Sequence, residues 1–231
     1  MTRSILIVTG IAREAAIVEG PGIHAVRSGA DTPALRRALA SLDPKDFAAV
    51  ISFGLAGGLH ADHPPGRIAI GRDVIAGGMR WSASPEIVAA LERALKAGGH
   101  DHAVVSFAGV DEAVMQPAHK RALHEKTGAH AVDMESHAAA AYAQTHGLPF
   151  GILRAICDPV TRALPEVAAT ALKPDGSVDY LAVAKGLARN PFQIPSLIAT
   201  GRDANAAFEA LRRCRGGLGA GLGLGFLAAH F

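Results

Sequence analysis

Short apolar runs rich in β-branched residues alternate with helical periods along this chain, and this alternation constrains the fold more than any other feature. The clearest runs are Val50-Ile-Ser-Phe53 and Phe150-Gly-Ile-Leu153, which place apolar side chains on both faces of a strand. Strands of this type occur in mainly parallel sheets that are covered by helices on each side. The sequence therefore predicts an α/β fold: a single domain with a mixed, mainly parallel central sheet flanked by helices.

The predicted elements follow the same alternation. The strands are expected over residues 4–9, 48–53, 67–76, 103–107, 129–132 and 150–156. The helices are expected over residues 33–42, 85–97, 117–127, 135–146, 177–189 and 195–214. The proline-rich residues 158–176 are expected to form a loop with a short helical turn. The domain is predicted to cover residues 1–215, and the glycine-rich apolar tail 216–231 is a frayed terminus or an interfacial membrane contact.

Composition excludes several classes of protein. The 231 residues are 49% hydrophobic and 19% charged, which allows a sizeable core and argues against extensive disorder. The net charge of +2 is too small to indicate a nucleic-acid partner. Cys157 and Cys214 lie far apart and suggest no disulfide framework, so a reducing compartment is expected. No run of 18 apolar residues and no signal peptide are recognisable. We therefore expect a cytoplasmic protein, and peripheral contact with the inner membrane is the second expectation for its location.

Two carboxylates stand at positions where this fold binds ligands. Glu135 lies where a short strand turns into a helix, and Asp158 lies at the C-terminal end of a buried strand. In open α/β sheets, ligands bind at the carboxyl ends of the strands. Both residues are therefore candidates for chemistry, although a helix-start charge and a strand-end charge without a ligand remain the alternative.

Two glycine-containing segments also follow strands. In the first, Gly10-Ile-Ala-Arg-Glu14, the acidic residue is either a helix-start charge favoured by the helix dipole or a catalytic group. The second, Phe53-Gly-Leu-Ala-Gly-Gly-Leu59, is expected to form a tight turn whose backbone amides approach a ligand. It lacks the Lys and Ser/Thr of a P-loop.

The eleven histidines do not predict a metal centre. His60 and His63 are close in sequence, as are His100 and His102, but no HExxH or Cys/His pattern accompanies either pair. We therefore expect no metal and no cofactor, with inorganic phosphate as a candidate co-substrate.

Four separated elements together resemble the nucleoside phosphorylase/nucleosidase superfamily. They are the Gly10–Glu14 and Phe53–Leu59 segments, Val132-Asp-Met-Glu-Ser136, and Arg154-Ala-Ile-Cys-Asp158, so the resemblance covers about residues 4–160. Within the superfamily the chain looks most like the methylthioadenosine/S-adenosylhomocysteine nucleosidases. Its C-terminal part is similar to the hopanoid-associated phosphorylase branch, through Arg162-Ala-Leu-Pro165, Leu172-Lys-Pro-Asp-Gly176 and Asn190-Pro-Phe-Gln-Ile-Pro195.

The resemblance implies a role for each matching residue. Asp158 matches the aspartate that protonates purine N7, and Glu135 matches the glutamate that binds the ribose hydroxyls. Met134 would pack against the sugar, and Arg154 would have a structural role. Glu14 is the candidate catalytic base, although an ungapped alignment puts its neighbour Ala15 on the water-activating glutamate of the nucleosidases. The remaining substrate-binding candidates are Asp133, Gly54, Leu55, Ala56 and Gly57.

The chemistry agrees with these roles, because a departing purine anion is a poor leaving group until it is protonated. Apolar surroundings beside Ile156 and Cys157 would favour a protonated Asp158. Many phosphorylases carry Ser or Thr where this chain has Leu55. The missing hydroxyl removes a phosphate ligand and favours water as the nucleophile. Arg13 and Arg27 could still supply positive charge to a phosphate, so phosphate remains the alternative.

The predicted function is cleavage of the N-glycosidic bond of a 5′-substituted adenosine, with adenosylhopane yielding adenine and ribosylhopane. The alternatives are a phosphate-dependent purine nucleoside phosphorylase, a methylthioadenosine/S-adenosylhomocysteine nucleosidase, and a non-catalytic nucleoside- or lipid-binding domain. The expected partners are a small-molecule nucleoside, lipid-linked in the hopanoid case, and further copies of the chain in a homodimer or larger homo-oligomer.

Overall fold

A computed structural model describes residues 3–29, 31–165 and 180–218, together with Leu222 and Leu224. Eight strands lie within these residues: β1 Ser4–Thr9, β2 Ile23–Arg27, β3 Phe47–Gly58, β4 Ile68–Ala76, β5 Met79–Ser82, β6 His102–Gly109, β7 Ala131–Asp133 and β8 Phe150–Asp158. The α-helices in the same residues are α1 Ala12–Val18, α2 Thr32–Ala40, α3 Pro85–Ala97, α4 Pro117–Thr127, α5 Ser136–Thr145, α6 Tyr180–Arg189 and α7 Ile194–Leu218.

The strands form one mixed sheet that closes on itself. Its path runs β2-β1-β3-β7-β6-β4-β5, and β8 pairs with both β3 and β4. Strands β3, β8, β4, β6 and β7 therefore form a closed ring. Five of the pairings are parallel, whereas β3–β7, β4–β5 and β4–β8 are antiparallel. The predicted mixed, mainly parallel sheet flanked by helices is confirmed.

The glycine-rich turn predicted after the third strand is wrong. Strand β3 continues through this segment to Gly58, because β8 pairs with it as far as Gly57 and β7 pairs with Gly57 and Gly58. Partners on both sides keep the glycines extended. The segment that was expected to fold back instead forms one wall of the site.

Two edge strands escape the sequence analysis. Strand β2 has a half-buried, partly polar pattern, and β5 is mostly exposed. Edge strands carry polar residues that protect them from pairing with other chains, so they lack the continuous apolar run that marks a buried strand. The predicted helices 85–97 and 117–127 match α3 and α4, and the described ends of α2, α5, α6 and α7 lie within a few residues of their predicted positions. The short helix α1 was not predicted.

The C-terminal helix packs against the main core. Helix α7 extends to Leu218, past the predicted end of the helix at residue 214, and its Leu211, Cys214 and Leu218 side chains are buried there. Leu222 and Leu224, within the predicted tail, are also buried in this core. The domain boundary at residue 215 stays a prediction. Residues 166–179 of the predicted loop and helix, and most of the tail, lie outside the described residues. No helix in the described ranges is long and apolar enough to cross a membrane.

Candidate active site

The carboxyl ends of β1, β3 and β8 meet β7 around a cavity of about 240 Å³. Because parallel strands end at the same edge, residues far apart in sequence converge there. Its lining includes Glu14, Leu55, Ala56, Gly57, Asp133, Met134, Glu135 and Asp158. The fold thus brings every predicted site residue into the cavity wall except Gly54, which lies directly behind Glu14.

Glu14 is held by backbone amides in the wall of the cavity. Its Oε2 accepts hydrogen bonds from the N–H groups of Gly10 at 2.7 Å and Ile11 at 2.9 Å, and its Oε1 accepts one from Leu55 at 2.7 Å. The side chain reaches back to the start of α1, as acidic residues in a first helical turn commonly do. Burial raises the pKa of Glu14 to about 7, against the opposing charge of Arg154 and with a further rise from Glu135. It is therefore poised to exchange a proton near neutral pH.

Only glycine fits at position 54. Its φ of +149° is one that L side chains rarely adopt, and a Cβ there would lie 2.5 Å from the carboxyl group of Glu14. The conformation of β3 at this point gives the Glu14 carboxylate the room it occupies. Gly54 thus acts through Glu14 and not by contact with the cavity.

Arg154 is the buried centre of an ionic cluster in the wall of the cavity. Its Nη1 lies 3.0 Å from Oε2 of Glu135, and its Nε lies 3.1 Å from Oδ2 of Asp133. Nη1 and Nη2 donate to the Leu55 carbonyl and the Ser52 hydroxyl. Burial lowers the pKa of Arg154, but the neighbouring carboxylates outweigh it and raise the pKa. Arg154 thus joins Glu135, Asp133 and the backbone of β3, and the structural role expected for it stays a prediction.

Glu135 is aimed by the turn that starts α5. Oδ1 of Asp133 accepts hydrogen bonds from the N–H groups of Glu135 at 3.0 Å and Ser136 at 2.7 Å, which satisfies donors at the helix start. Oε1 of Glu135 accepts a hydrogen bond of 2.8 Å from the Ser28 hydroxyl. Asp133 therefore orients Glu135. These two residues and Met134, which lies between them in the sequence, all line the cavity.

Asp158 ends β8 in the cavity wall and pairs with Lys120 of α4. The two side chains are nearly inaccessible, and the Lys120 ammonium contacts Oδ2 of Asp158 directly. Lys120 also donates to the carbonyls of Pro159 at 3.0 Å and Arg162 at 3.2 Å. The apolar setting expected for Asp158 is thus wrong, because a positive charge from another element lies against it.

Lys120 is the functional candidate that sequence reasoning missed. It lies within a helix of mostly exposed charged residues, and its sequence neighbours do not distinguish it from a solvated lysine. Cys157 completes the surroundings of Asp158, since its thiol lies 3.2 Å from Oδ1. Burial and the adjacent carboxylate raise the pKa of this thiol well above its ordinary value, so it serves as a neutral donor.

The rest of the cavity is apolar. Between the charged groups it is lined by Ile11, Val110, Ala113, Val114, Val132 and Leu164. Leu164 comes from the proline-rich segment that was predicted to form a loop, and Val110, Ala113 and Val114 come from the segment between β6 and α4. Among the lining residues that the structure describes, Arg154 is the only cation.

Comparison with known proteins identifies the family of the chain. A family model described as the Phosphorylase superfamily matches residues 2–188. The chain belongs to this superfamily. As a member, it is an enzyme that acts at the N-glycosidic bond of a nucleoside-like substrate, by hydrolysis or by pentosyl transfer. The resemblance to the superfamily is confirmed.

Solved structures of superfamily members share the fold at low sequence identity. The 5′-methylthioadenosine/S-adenosylhomocysteine nucleosidase of Helicobacter pylori, in complex with a substituted pyrrolidin-3-ol, is 15% identical, with a TM-score of 0.66 over 91% of this chain and 97% of that one. The nucleosidase of Colwellia psychrerythraea in complex with adenine is 18% identical, with a TM-score of 0.63 over 81% and 96%. The futalosine hydrolase of H. pylori is 17% identical, with a TM-score of 0.62 over 68% and 88%. No curated protein sequence matches the chain.

Proposed function

We propose that the protein is a nucleosidase that hydrolyses the N-glycosidic bond of a 5′-substituted adenosine, with adenosylhopane as the substrate and adenine and ribosylhopane as the products. One observation carries the proposal: an apolar cavity holds a carboxyl group with a pKa of about 7 and, elsewhere in its wall, a carboxylate paired with a buried ammonium. Two carboxyl groups in different environments can divide base and acid roles between them.

Asp158 delivers the proton that the leaving base requires. Its carboxylate, which pairs with Lys120 at rest, takes up a proton from solvent as the substrate enters the cavity, and this proton then passes to purine N7. Once Asp158 has passed a proton to purine N7, Lys120 stabilises the carboxylate that remains, because the two groups touch in a site almost without solvent. The glycosidic electron pair leaves with the purine, which departs as a neutral base. Lys120 is a positioning residue in this scheme, since it acts through Asp158.

Glu135 holds the sugar while positive charge develops on it. Its carboxylate is oriented by Ser28 and Arg154 and faces the cavity. In the proposed complex it accepts hydrogen bonds from the ribose hydroxyls, and its negative charge stabilises the oxocarbenium-like transition state. Met134 lies beside it in the cavity wall and packs against the sugar.

The local charges favour water over phosphate as the nucleophile. Arg13, a candidate phosphate ligand, instead donates to Oδ1 of Asn205 at 3.2 Å and lies over the Phe208 ring. Arg27 is exposed and is not part of the cavity lining. The Leu55 amide, which could have bound an anion, donates to Glu14. Glu14 would accept a proton from the attacking water, whereas its charge would repel phosphate.

The apolar lining supports a large apolar 5′-substituent. Val110, Ala113, Val114 and Leu164 offer no hydrogen-bonding side chain, so they suit a hydrocarbon group better than a charged amino acid group such as that of S-adenosylhomocysteine. The C-terminal similarity to the hopanoid-associated branch points the same way, although its segment Leu172–Gly176 lies outside the described residues.

Product analysis tests substrate and nucleophile together. We expect the purified enzyme to release adenine from adenosylhopane in phosphate-free buffer, at a rate that added phosphate does not increase, and to favour adenosylhopane over methylthioadenosine in kcat/KM. Chromatography of the sugar product would show free ribosylhopane. A strict phosphate requirement with a sugar 1-phosphate product would show a phosphorylase, and preference for methylthioadenosine would refute the hopanoid assignment.

We further propose peripheral membrane contact through the region that joins α6 and α7. Phe192 is 92% exposed, and Leu181, Ile194 and Ile198 in neighbouring elements are also exposed. Exposed basic residues flank them at Lys185, Arg189 and Arg202. Apolar side chains bordered by lysine and arginine are typical of surfaces that lie on anionic bilayers. Such contact would give the enzyme access to a substrate dissolved in lipid.

Liposome flotation tests this contact. We expect full-length protein to float with vesicles that contain anionic phospholipid, and Phe192→Ser to reduce the bound fraction several-fold. Met79→Ser is the matched control, because Met79 is 55% exposed on the β4–β5 hairpin, outside the region that joins α6 and α7. Equal flotation of Phe192→Ser and wild type would argue against a role for this region.

A further inference from the structure

Four histidine rings gather outside the catalytic cavity. His60 and His63 follow β3, His124 lies on α4, and His130 immediately precedes β7. The ring of His130 is stacked on that of His60 at a centroid distance of 4.6 Å, and it lies 5.1 Å from His63 and 5.4 Å from His124. The cluster forms because the backbone N–H of Leu59 donates to the carbonyl of His130, which aligns the end of β3 with the start of β7.

The ring nitrogens of three of these residues converge on a common point. His60, His63 and His130 each offer one nitrogen, and these nitrogens all lie within 4.8 Å of one another. Nε2 of His63 is 2.9 Å from Nδ1 of His130. Nitrogen ligands on a tetrahedral zinc ion are about 3.4 Å apart, given Zn–N bonds of about 2.0–2.1 Å. Small ring rotations would therefore bring all three nitrogens into coordination.

The surroundings suit imidazole as a metal ligand. Burial, together with the charge of neighbouring histidines, lowers the pKa of His63 and of His130, so the surroundings oppose the charged form of either ring. Nδ1 of His124 lies 2.8 Å from the Ala129 carbonyl oxygen. Since Nδ1 is occupied by this contact, Nε2 of His124 is the nitrogen that is available to a metal ion. Oδ2 of Asp62, 3.5 Å from Nδ1 of His60, adds a negative charge at the edge of the cluster.

We propose that His60, His63 and His130 bind one divalent transition-metal ion, with Zn²⁺ as the representative, and that His124 is the candidate fourth ligand. Imidazole nitrogens prefer ions of this class to Mg²⁺ or Ca²⁺. None of the four histidines lines the catalytic cavity. The ion would join the end of β3 and the start of β7 to α4, the helix that carries Lys120, and so would stabilise the elements that support the active site. This inference does not depend on the proposed substrate.

Titration calorimetry on the full-length protein without an affinity tag tests the proposal. After treatment with a chelator and dialysis, we expect one Zn²⁺ to bind per chain, with an increase in the melting temperature. Co²⁺ should produce the visible absorption bands of a tetrahedral site with nitrogen ligands. We expect His130→Ala and His60→Ala each to weaken binding by at least about tenfold, because loss of a ligand should cost no less than loss of an outer-shell partner.

Controls separate the cluster from other histidines. His119→Ala, an exposed residue on the same helix as His124, should bind Zn²⁺ like the wild type. His60 is only half-buried, so His60→Ala is expected to fold even if the His130 substitution disturbs β7. Wild-type protein that binds no Zn²⁺ at micromolar concentration would overturn the proposal. So would equal affinity of the wild type, His60→Ala and His130→Ala.

Discussion

Substitution of Asp158 by Asn is expected to reduce the rate of adenine release by about 10²–10⁴-fold, the usual contribution of a general acid. The amide retains the shape of the side chain but cannot deliver a proton to N7. Affinity for adenine, measured by calorimetry, should change far less than kcat. The control is Asp101→Asn. Asp101 is an exposed carboxylate that pairs with Arg67 on the surface, so this variant should retain activity.

The partner of Asp158 complicates this experiment. Asparagine would leave the fully buried ammonium of Lys120 without its counter-charge, and breaking a buried pair typically costs about 3–5 kcal/mol. The double variant Asp158→Asn/Lys120→Met removes both charges and should recover much of the lost free energy of unfolding. It should remain inactive, because the acid is still missing. Recovery of activity together with stability would show that Asp158 has a structural role only, as would equal losses of affinity and kcat in the single variant.

Substitution of Glu14 by Gln should have the second large effect. The proposed water-activating base is lost, so kcat should fall by about 10²–10⁴-fold. Since burial raises the pKa of Glu14 to about 7, wild-type kcat/KM should decline as the pH falls below 7, where the base becomes protonated. The residual activity of Glu14→Gln should lack this decline. Glu19→Gln, at the exposed end of α1, should keep the wild-type profile.

The raised pKa of Glu14 also predicts how the stability of the protein depends on pH. A carboxyl group with a pKa of about 7 in the folded state and 4.5 in the unfolded chain binds more protons when folded between these values. Its stabilising contribution to the free energy of unfolding is therefore complete below pH 4.5. As the pH rises from 4.5 to 7, the free energy of unfolding falls by about 3 kcal/mol through this group. Denaturant titrations at several pH values should show a smaller fall over this interval for Glu14→Gln than for the wild type. An identical slope in both proteins would contradict the raised pKa.

The candidate site could be predicted to different depths at different residues. Glu135 and Asp158 were identified because each stands at the end of an apolar strand, and strand ends in this fold share one edge. Glu14 was ambiguous in sequence, since its neighbour Ala15 aligns with the glutamate of the nucleosidases. The structure places the Glu14 carboxylate in the cavity wall, held by three backbone amides, and buries Ala15.

Some elements of the fold could be predicted from the sequence and others could not. The buried strands β3 and β8 were predicted because each has a continuous apolar run, and helix α3 was predicted because its apolar residues recur at helical spacing. The edge strands β2 and β5 were not predicted, because an edge strand lacks a continuous apolar run. The closed ring of β3, β8, β4, β6 and β7 was also not predicted, since pairing between distant strands leaves no local pattern.

The sequence by itself determined the α/β class, the superfamily and the carboxylates at the strand ends, because each depends on short-range patterns of apolar and acidic residues. Only the tertiary structure decided the electrostatic setting of those carboxylates. It placed the ammonium of Lys120 against Asp158, the guanidinium of Arg154 beneath Glu135, and His130 beside His60 and His63. Charge interactions depend on distances in space, and these pairs are separated by 19 to 70 residues along the chain.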